Sequence, residues 1–276
     1  MSVLRGRWLL APGVFWLVAF FAIPVAVLAG TSLMPRGIYG GVTAGFTLEH
    51  YSRFLDPLYL GILARTLLLS AICTAICLLA GYPVALGIAR SGRWKNLLLF
   101  LVILPLWTSF LVRTYAMIFL LRDHGLINET LMALGITSAP LHLLYTRGAV
   151  LAGLVYGLLP LMILPLYTSL EKLDPTLLEA AEVLGARPLS RFWRVILPLS
   201  LPGTIAGCLL VFIPSLGAFL TPDLLGGAKD MMIGSLIQNQ FGPARDWPFG
   251  SAASVVVMVV VLVAMLGWLR RRPEVL

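Results

Sequence analysis

Residues 173–203 read LDPTLLEAAEVLGARPLSRFWRVILPLSLPG, a polar excursion between two long apolar runs. Asp174 is a good helix N-cap, Pro175 suits the first helical position and Gly185 suits the C-terminal cap, so a short helix is expected over about 175–184. At 100° per residue Leu177, Ala181 and Leu184 fall on one side, and Glu179 and Glu182 fall close together on the other. Helices that lie on a membrane surface usually carry Lys and Arg on the polar face rather than Glu. An acidic amphipathic helix flanked by spans is better suited to docking into a groove of a partner.

Outward from this loop the chain is dominated by apolar runs. It is 276 residues long, 59% hydrophobic and only 12% charged, whereas a soluble domain carries roughly 25% charged residues. Too few charges remain to coat a soluble core, so the apolar surplus faces lipid. A bilayer core about 30 Å thick needs roughly 20 apolar residues in a helix. Six segments meet that length: about 9–33, 60–89, 97–121, 147–170, 195–222 and 249–269. The expected fold is an all-α membrane protein, a single transmembrane domain over 1–276. The first span resembles a signal peptide in outline, but its apolar run is longer than the roughly 7–15 residues of a signal core and no small-residue cleavage site follows. It is read as uncleaved.

Orientation follows from the distribution of Lys and Arg. A cytoplasmic N-terminus places Arg5, Arg7, Arg90, Arg93, Lys95, Lys172, Arg187, Arg191, Arg194, Arg270, Arg271 and Arg272 inside, 12 of the 20 basic residues. The outer segments mix signs: Arg122 with Asp123, Lys229 with Asp230, Arg245 with Asp246. Both termini are therefore expected in the cytoplasm.

The net charge of +8 is spread over these short clusters, which is topology rather than a nucleic-acid patch. Cys73, Cys77 and Cys208 all lie in apolar runs, and no His or acid stands beside them to complete a metal site, so they read as free thiols. The three histidines, His50, His124 and His142, fall in outer loops with no Gly-x-Ser-x-Gly elbow, which argues against an intramembrane hydrolase. No Walker-type Gly-Lys-Ser/Thr loop occurs, so any ATP hydrolysis belongs to a partner. All 12 acids lie in loops or at span ends. Ion-coupled secondary transporters usually need intramembrane carboxylates or unwound ion sites, which disfavours that class.

Glu179-Ala180-Ala181, Gly185 four residues on, Ile196, Leu197-Pro198 and Pro202-Gly203 together resemble the cytoplasmic EAA loop of ABC importer permeases, those served by an extracytoplasmic solute-binding protein. The resemblance spans most of the chain. Phe46-Thr47-Leu48-Glu49, Gly81-Tyr82-Pro83, Leu111-Val112-Arg113-Thr114-Tyr115-Ala116, Phe219-Leu220-Thr221-Pro222-Asp223-Leu224-Leu225-Gly226-Gly227 and Asp246-Trp247-Pro248-Phe249-Gly250 are similar to the spermidine/putrescine permeases, most of all their B-type subunit. It implies a type I importer permease of the bacterial inner membrane, with a coupling helix between spans four and five. Glu179, Ala180, Ala181, Glu182, Gly185, Ala186, Arg187 and Phe192 would couple to the ATPase. The implied partners are an ABC ATPase dimer, a second permease subunit and the solute-binding protein. ATP and Mg would be used by the partner ATPase, with no cofactor bound by this chain.

For the translocation path, aromatic rings can guide an amine through cation–π contacts without trapping it. Trp107, Tyr115 and Phe219 are candidates, with Ser215 in the fifth span and Asp223 near the outer mouth. Pro202-Gly203 and Pro214-Ser215-Leu216-Gly217 are expected to kink the fifth span, for a pathway or for close helix packing. Arg113 is awkward, because a charge inside a span is costly and its sign repels a polyamine. It either pairs with backbone carbonyls, snorkels to the outer face, or marks a solute bearing a carboxylate, as amino-acid-derived or opine-like compounds do.

Overall fold

The computed structural model describes residues 12–227 and 230–271, with side chains through 266. Arg5, Arg7, Lys229 and Arg272, and the side chains of Arg270 and Arg271, lie outside the described residues. Among the described residues every regular element is helical, apart from one bridge between Arg36 and Val42. In chain order these are α1 (Pro12–Thr31), α2 (Glu49–Phe54), α3 (Pro57–Ala89), α4 (Lys95–Trp107), α5 (Phe110–Leu121), α6 (Leu126–Ala133), α7 (Arg147–Glu171), α8 (Pro175–Val183), α9 (Pro188–Leu199), α10 (Leu201–Leu216), α11 (Leu220–Leu225), α12 (Ile233–Phe241) and α13 (Trp247–Arg271).

Four of them, α1, α3, α7 and α13, are long and apolar enough to cross a membrane by themselves. Two bent pairs raise the number to six if each counts as one span; the bend in the second adjoins the kink expected at Pro202-Gly203, and the break in the first was not expected. The span expected over 97–121 is broken at Thr108–Ser109, where α4 and the helices that follow it meet at 93°. Pro105 has no N–H for the carbonyl one turn back, and Thr108 and Ser109 adopt extended backbone, with the Thr108 hydroxyl donating to the Pro105 carbonyl at 2.7 Å. The span expected over 195–222 is broken by 70° at Ser200 and its helix stops at Leu216. Pro198 and Pro202 flank that break, and Ser200 sits at φ −88°, ψ 0°.

The chain forms two compact units. The first comprises the residues up to Gly61 and those from Leu236 on. In it α13 packs against α1 and α2, and the Thr31 hydroxyl donates to Ser251 Oγ at 2.8 Å. Asp246 is buried at the start of α13. Its carboxylate accepts from Arg53 at 2.8 Å and from the Phe249 backbone N–H at 3.3 Å, and Arg36 stands 3.8 Å away. The Arg53 guanidinium lies 4.1 Å from the centre of the Phe249 ring. Asp246 therefore pairs with Arg53 across the unit rather than with its neighbour Arg245.

The second unit, Ile62–Ser235, is built around α7. Against α7 lie α4, α5, α10 and α11. The closest approach is at Gly203 of α10: a Cβ there would stand 2.5 Å from the Pro165 carbonyl oxygen and 2.4 Å from Ser169 Cβ. Small residues four apart let two backbones meet in this way. The loop after α5 is closed by the buried Asn128 side chain, which donates to the carbonyls of Arg122 and Leu141 and accepts from the Leu141 N–H. At the opposite end of α7, Glu171 pairs with Lys95 at the start of α4.

Candidate functional site

The segment between α7 and α10 has the local structure that its residues dictate. The Asp174 carboxylate accepts from the Thr176 N–H at 2.9 Å and caps α8, and Pro175 occupies the first turn. That hydrogen bond also holds the Asp174 carboxyl below its usual range, so the cap persists at neutral pH and weakens only as pH falls through the depressed value. At the other end Gly185 adopts φ +77°. Its N–H donates to the Glu182 carbonyl at 2.9 Å, and the Ala186 N–H donates to the Ala181 carbonyl at 3.0 Å. These two bonds form a Schellman cap, which requires the left-handed conformation that glycine adopts without penalty.

Most of the apolar side given by the helical periodicity is left exposed on α8. Leu178 reaches the core cluster of the unit and Ala181 is half-buried, while Leu177 remains exposed and Leu184 is 86% exposed. Leu173 and Leu178 pack against that cluster, whereas Leu177 lines the cleft described below. Val183, Leu184 and Leu189 therefore form an exposed apolar surface, with Val183 at 88% and Leu189 at 70%. Glu179, Ala180 and Arg187 are exposed beside it. Beneath α8 a cleft of about 650 Å³ is lined by Lys172, Asp174 and Leu177 on one side and by Pro202, Gly203 and Ala206 on the other.

A chain of contacts runs from this surface into the helices. Glu182 accepts from Arg191 at 2.9 Å, tying α8 to α9. The next residue, Phe192, is half-buried and packs edge-on against Tyr82 of α3, with ring centres 5.2 Å apart. The Tyr82 hydroxyl hydrogen-bonds the Ser200 hydroxyl at 2.6 Å, at the 70° break that starts α10. α8 is thus linked to α3 and to the start of α10 through side chains as well as through the loop. Tyr82→Phe is expected to cost about 0.6–1.7 kcal/mol, the range for interhelical hydrogen bonds in membranes, because Ser200 keeps its bond to the Leu197 carbonyl. Thermal melting of the purified variant in detergent measures this.

The residues proposed for the path are distributed over three places. Trp107 ends α4 and is 75% exposed, stacked edge-on with Phe100. Tyr115 on α5 is half exposed, and α11, which carries the exposed Asp223, packs against α5 with Phe219 immediately before it. Ser215 is fully buried, and its hydroxyl donates to the Phe212 carbonyl at 2.7 Å. Arg113 on α5 has its Nε and Nη1 buried without a hydrogen-bond partner, and its guanidinium lies 5.7 Å from the centre of the Phe110 ring. The Glu182–Arg191 and Tyr82–Ser200 pairs were not legible in the sequence, since they join residues 9 and 118 positions apart outside any helical period.

Residues 78–272 match the family described as binding-protein-dependent transport system inner membrane component. The chain is 46% identical over 255 residues to the spermidine/putrescine transport system permease protein PotB of Escherichia coli (strain K12), covering 92% of this chain and 93% of that protein. It is also 46% identical to the PotB of Haemophilus influenzae over 256 residues, covering 92% and 90%. Among solved structures, one of a bacterial ABC transporter involved in the import of the acidic polysaccharide alginate superposes with a TM-score of 0.75 over 98% of both chains at 18% identity. A second, of a bacterial alginate ABC transporter with its pentasaccharide-bound periplasmic protein, gives 0.72 over 98% of this chain and 96% of that one. At these identities the structural likeness concerns the fold.

Proposed function

The chain belongs to the binding-protein-dependent transport inner membrane component family, and from that premise we propose that it is the permease of an ATP-driven importer for polyamines such as spermidine and putrescine. It is a transport component of the inner membrane and not an enzyme. In this reading each bent helix pair is one span, giving six, and the whole chain works as one permease domain with both termini in the cytoplasm. It pairs with a second permease subunit on an ATPase dimer that uses ATP and Mg, and it receives solute from an extracytoplasmic binding protein.

The observation that carries the coupling role is the exposure of Val183 and Leu184 at the end of a helix capped at both ends, with Leu189 exposed at the start of α9. Such a surface is unfavourable in water and favourable in the groove of a partner. Glu179, Ala180, Ala181, Glu182, Gly185, Ala186 and Arg187 surround it, and Phe192 passes its displacement to Tyr82. Closure of the ATPases draws this helix inward and rocks α3 and α10. The solute is argued from the identity to the spermidine/putrescine permeases along nearly the whole chain. Trp107, Tyr115 and Phe219 supply aromatic faces for an amine, with Asp223 at the outer end and Ser215 lining the path only if α10 turns.

Uptake of labelled putrescine and spermidine by cells carrying this permease with its ATPase, second permease and binding protein tests the reading. ATP-dependent uptake of either is expected. Copurification of the ATPase without polyamine uptake would reject the solute and keep the permease. A second reading, a solute bearing a carboxylate, is favoured by the partnerless Nε and Nη1 of Arg113. Competition by amino-acid-derived carboxylates, lost in Arg113→Gln, would select it.

A further inference from the structure

Helix α9 reads PLSRFWRVILPL and meets α10 at 70°. Membrane helices tilt on average by about 20° from the bilayer normal, so a helix at that angle to α10 runs nearer the membrane plane than the normal. Arg191 and Arg194 stand among Phe192, Trp193, Ile196 and Leu197, the basic and aromatic composition of helices that lie in the interface. Ile196 is buried and Phe192 half-buried, whereas Trp193 is 59% exposed and Arg194 is exposed beside it.

Between α9 and the last turns of α3 lies a groove of about 410 Å³. Leu79 and Leu86 of α3 and Trp193 and Leu197 of α9 line it, together with the edge-on ring pair of Tyr82 and Phe192. The Tyr82 hydroxyl is taken up by Ser200, so what the groove offers is almost entirely carbon. The 33-residue α3 is about 50 Å long, with Cys73 at its middle. Centred on a hydrocarbon core about 30 Å thick, it carries Leu79 about 9 Å, Tyr82 about 14 Å and Leu86 about 20 Å from the midplane. Leu79 therefore lies in hydrocarbon, Tyr82 at the boundary and Leu86 among headgroups. Phe192 packs on Tyr82, so α9 runs at the boundary, where its composition also puts it.

We infer that this groove holds an acyl chain of a phospholipid from the leaflet on the α8 side, with the headgroup over α9. The groove opens at headgroup depth and runs about 10 Å along α3 into hydrocarbon, the path of a tail entering from that leaflet. Leu79, at its deep end, is 76% exposed. Two observations independent of the groove, the 70° bend and the Arg-Phe-Trp-Arg run, put α9 at the lipid boundary and so commit the groove to a lipid rather than to a protein. The apolar lining offers a charged solute no partner, so the groove is separate from the solute path. The tail rests on the Tyr82 and Phe192 rings and braces the link between α8 and α10. The inference depends on the chain spanning a membrane and not on which solute it carries.

The test uses the full chain in vesicles of phosphatidylethanolamine and phosphatidylglycerol. A trace of phosphatidylcholine carries a photoreactive diazirine either near the end of an acyl chain or in the headgroup, and adducts are mapped by peptide mass spectrometry. The tail probe is expected to label the Leu79 peptide well above that of Leu101, which is 54% exposed on α4 outside the groove. The headgroup probe is expected to label the Arg194 peptide instead. Leu79→Trp, which fills the groove, is expected to lower tail labelling of the Leu86 peptide by at least about fourfold, the value of one excluded methylene group. Leu101→Trp is expected to leave it unchanged. Trp193→Ala removes a wall at an exposed position and is expected to lower the same labelling. Equal tail labelling at Leu79 and Leu101, or unchanged labelling in both groove variants, would overturn the inference. Loss of the labelling when a copurified permease subunit is present would make the groove a subunit interface and also reject it. Thermal melting of each variant separates loss of lipid from loss of fold.

Discussion

Gly185→Val is expected to abolish ATP-coupled uptake, by more than about tenfold, while leaving the chain inserted in the membrane. The residue holds φ +77° in the Schellman cap of α8, and a Cβ there meets nothing within 4 Å of this chain. All of the cost within the chain is therefore conformational, about 1–2 kcal/mol for an ordinary L-residue in the left-handed region and more for a β-branched one. That is comparable to the stability of a 9-residue helix with few tertiary contacts, so α8 loses its C-terminal turn. The exposed Val183 and Leu184 then lose their placement. Gly185→Asn, which tolerates the left-handed region, is expected to retain most of the uptake. Gly185→Asp fits the backbone equally well but sets a charge beside an apolar docking surface, and its uptake is expected to be lost. Uptake assays with parallel measurement of membrane-inserted protein and of copurified ATPase separate these outcomes. Wild-type uptake by Gly185→Val would remove α8 from the coupling path.

Gly203→Leu is expected to prevent α10 from docking on α7, and Gly203→Ala to weaken it by about 1–3 kcal/mol, the usual cost of overpacking. The obstacle at Gly203 is backbone, the Pro165 carbonyl at 2.5 Å from a Cβ, and backbone cannot move aside as a side chain can. Gly207, one turn on, meets the Met162 Sδ at 2.7 Å, in a flexible side chain, and backbone only from the Met162 carbonyl at 3.1 Å, so Gly207→Ala is expected to be milder. Gly87→Ala is the control: nothing lies within 4 Å of its Cβ position, and the change is expected to be neutral or to stabilise α3 by up to about 1 kcal/mol. Melting temperatures in detergent and the yield of folded protein measure all four. Equal melting of Gly203→Ala and Gly87→Ala would mean that α10 does not rest on α7 at this contact.

Much of the molecule was legible in its sequence because the signals were local. Asp174, Pro175 and Gly185 act on their own backbone, so α8 could be bounded to within a residue or two. The long apolar runs of α1, α3, α7 and α13 are set by bilayer thickness, which requires no knowledge of neighbours. The kink beside Pro202 was legible, but the break at Thr108–Ser109 was not, although Pro105 marks it. A proline in a membrane helix either kinks it or is absorbed, as Pro83, Pro160 and Pro165 are absorbed within α3 and α7.

By itself the sequence determined the helical class, the apolar spans and the capped amphipathic helix, since hydrogen bonding in lipid and capping act over a few residues. Only the tertiary structure decided which face of α8 turns outward, which carboxylate meets which arginine, and where Phe192 finds Tyr82. Those contacts join residues far apart in the chain, and no periodicity within one helix encodes the partner on another.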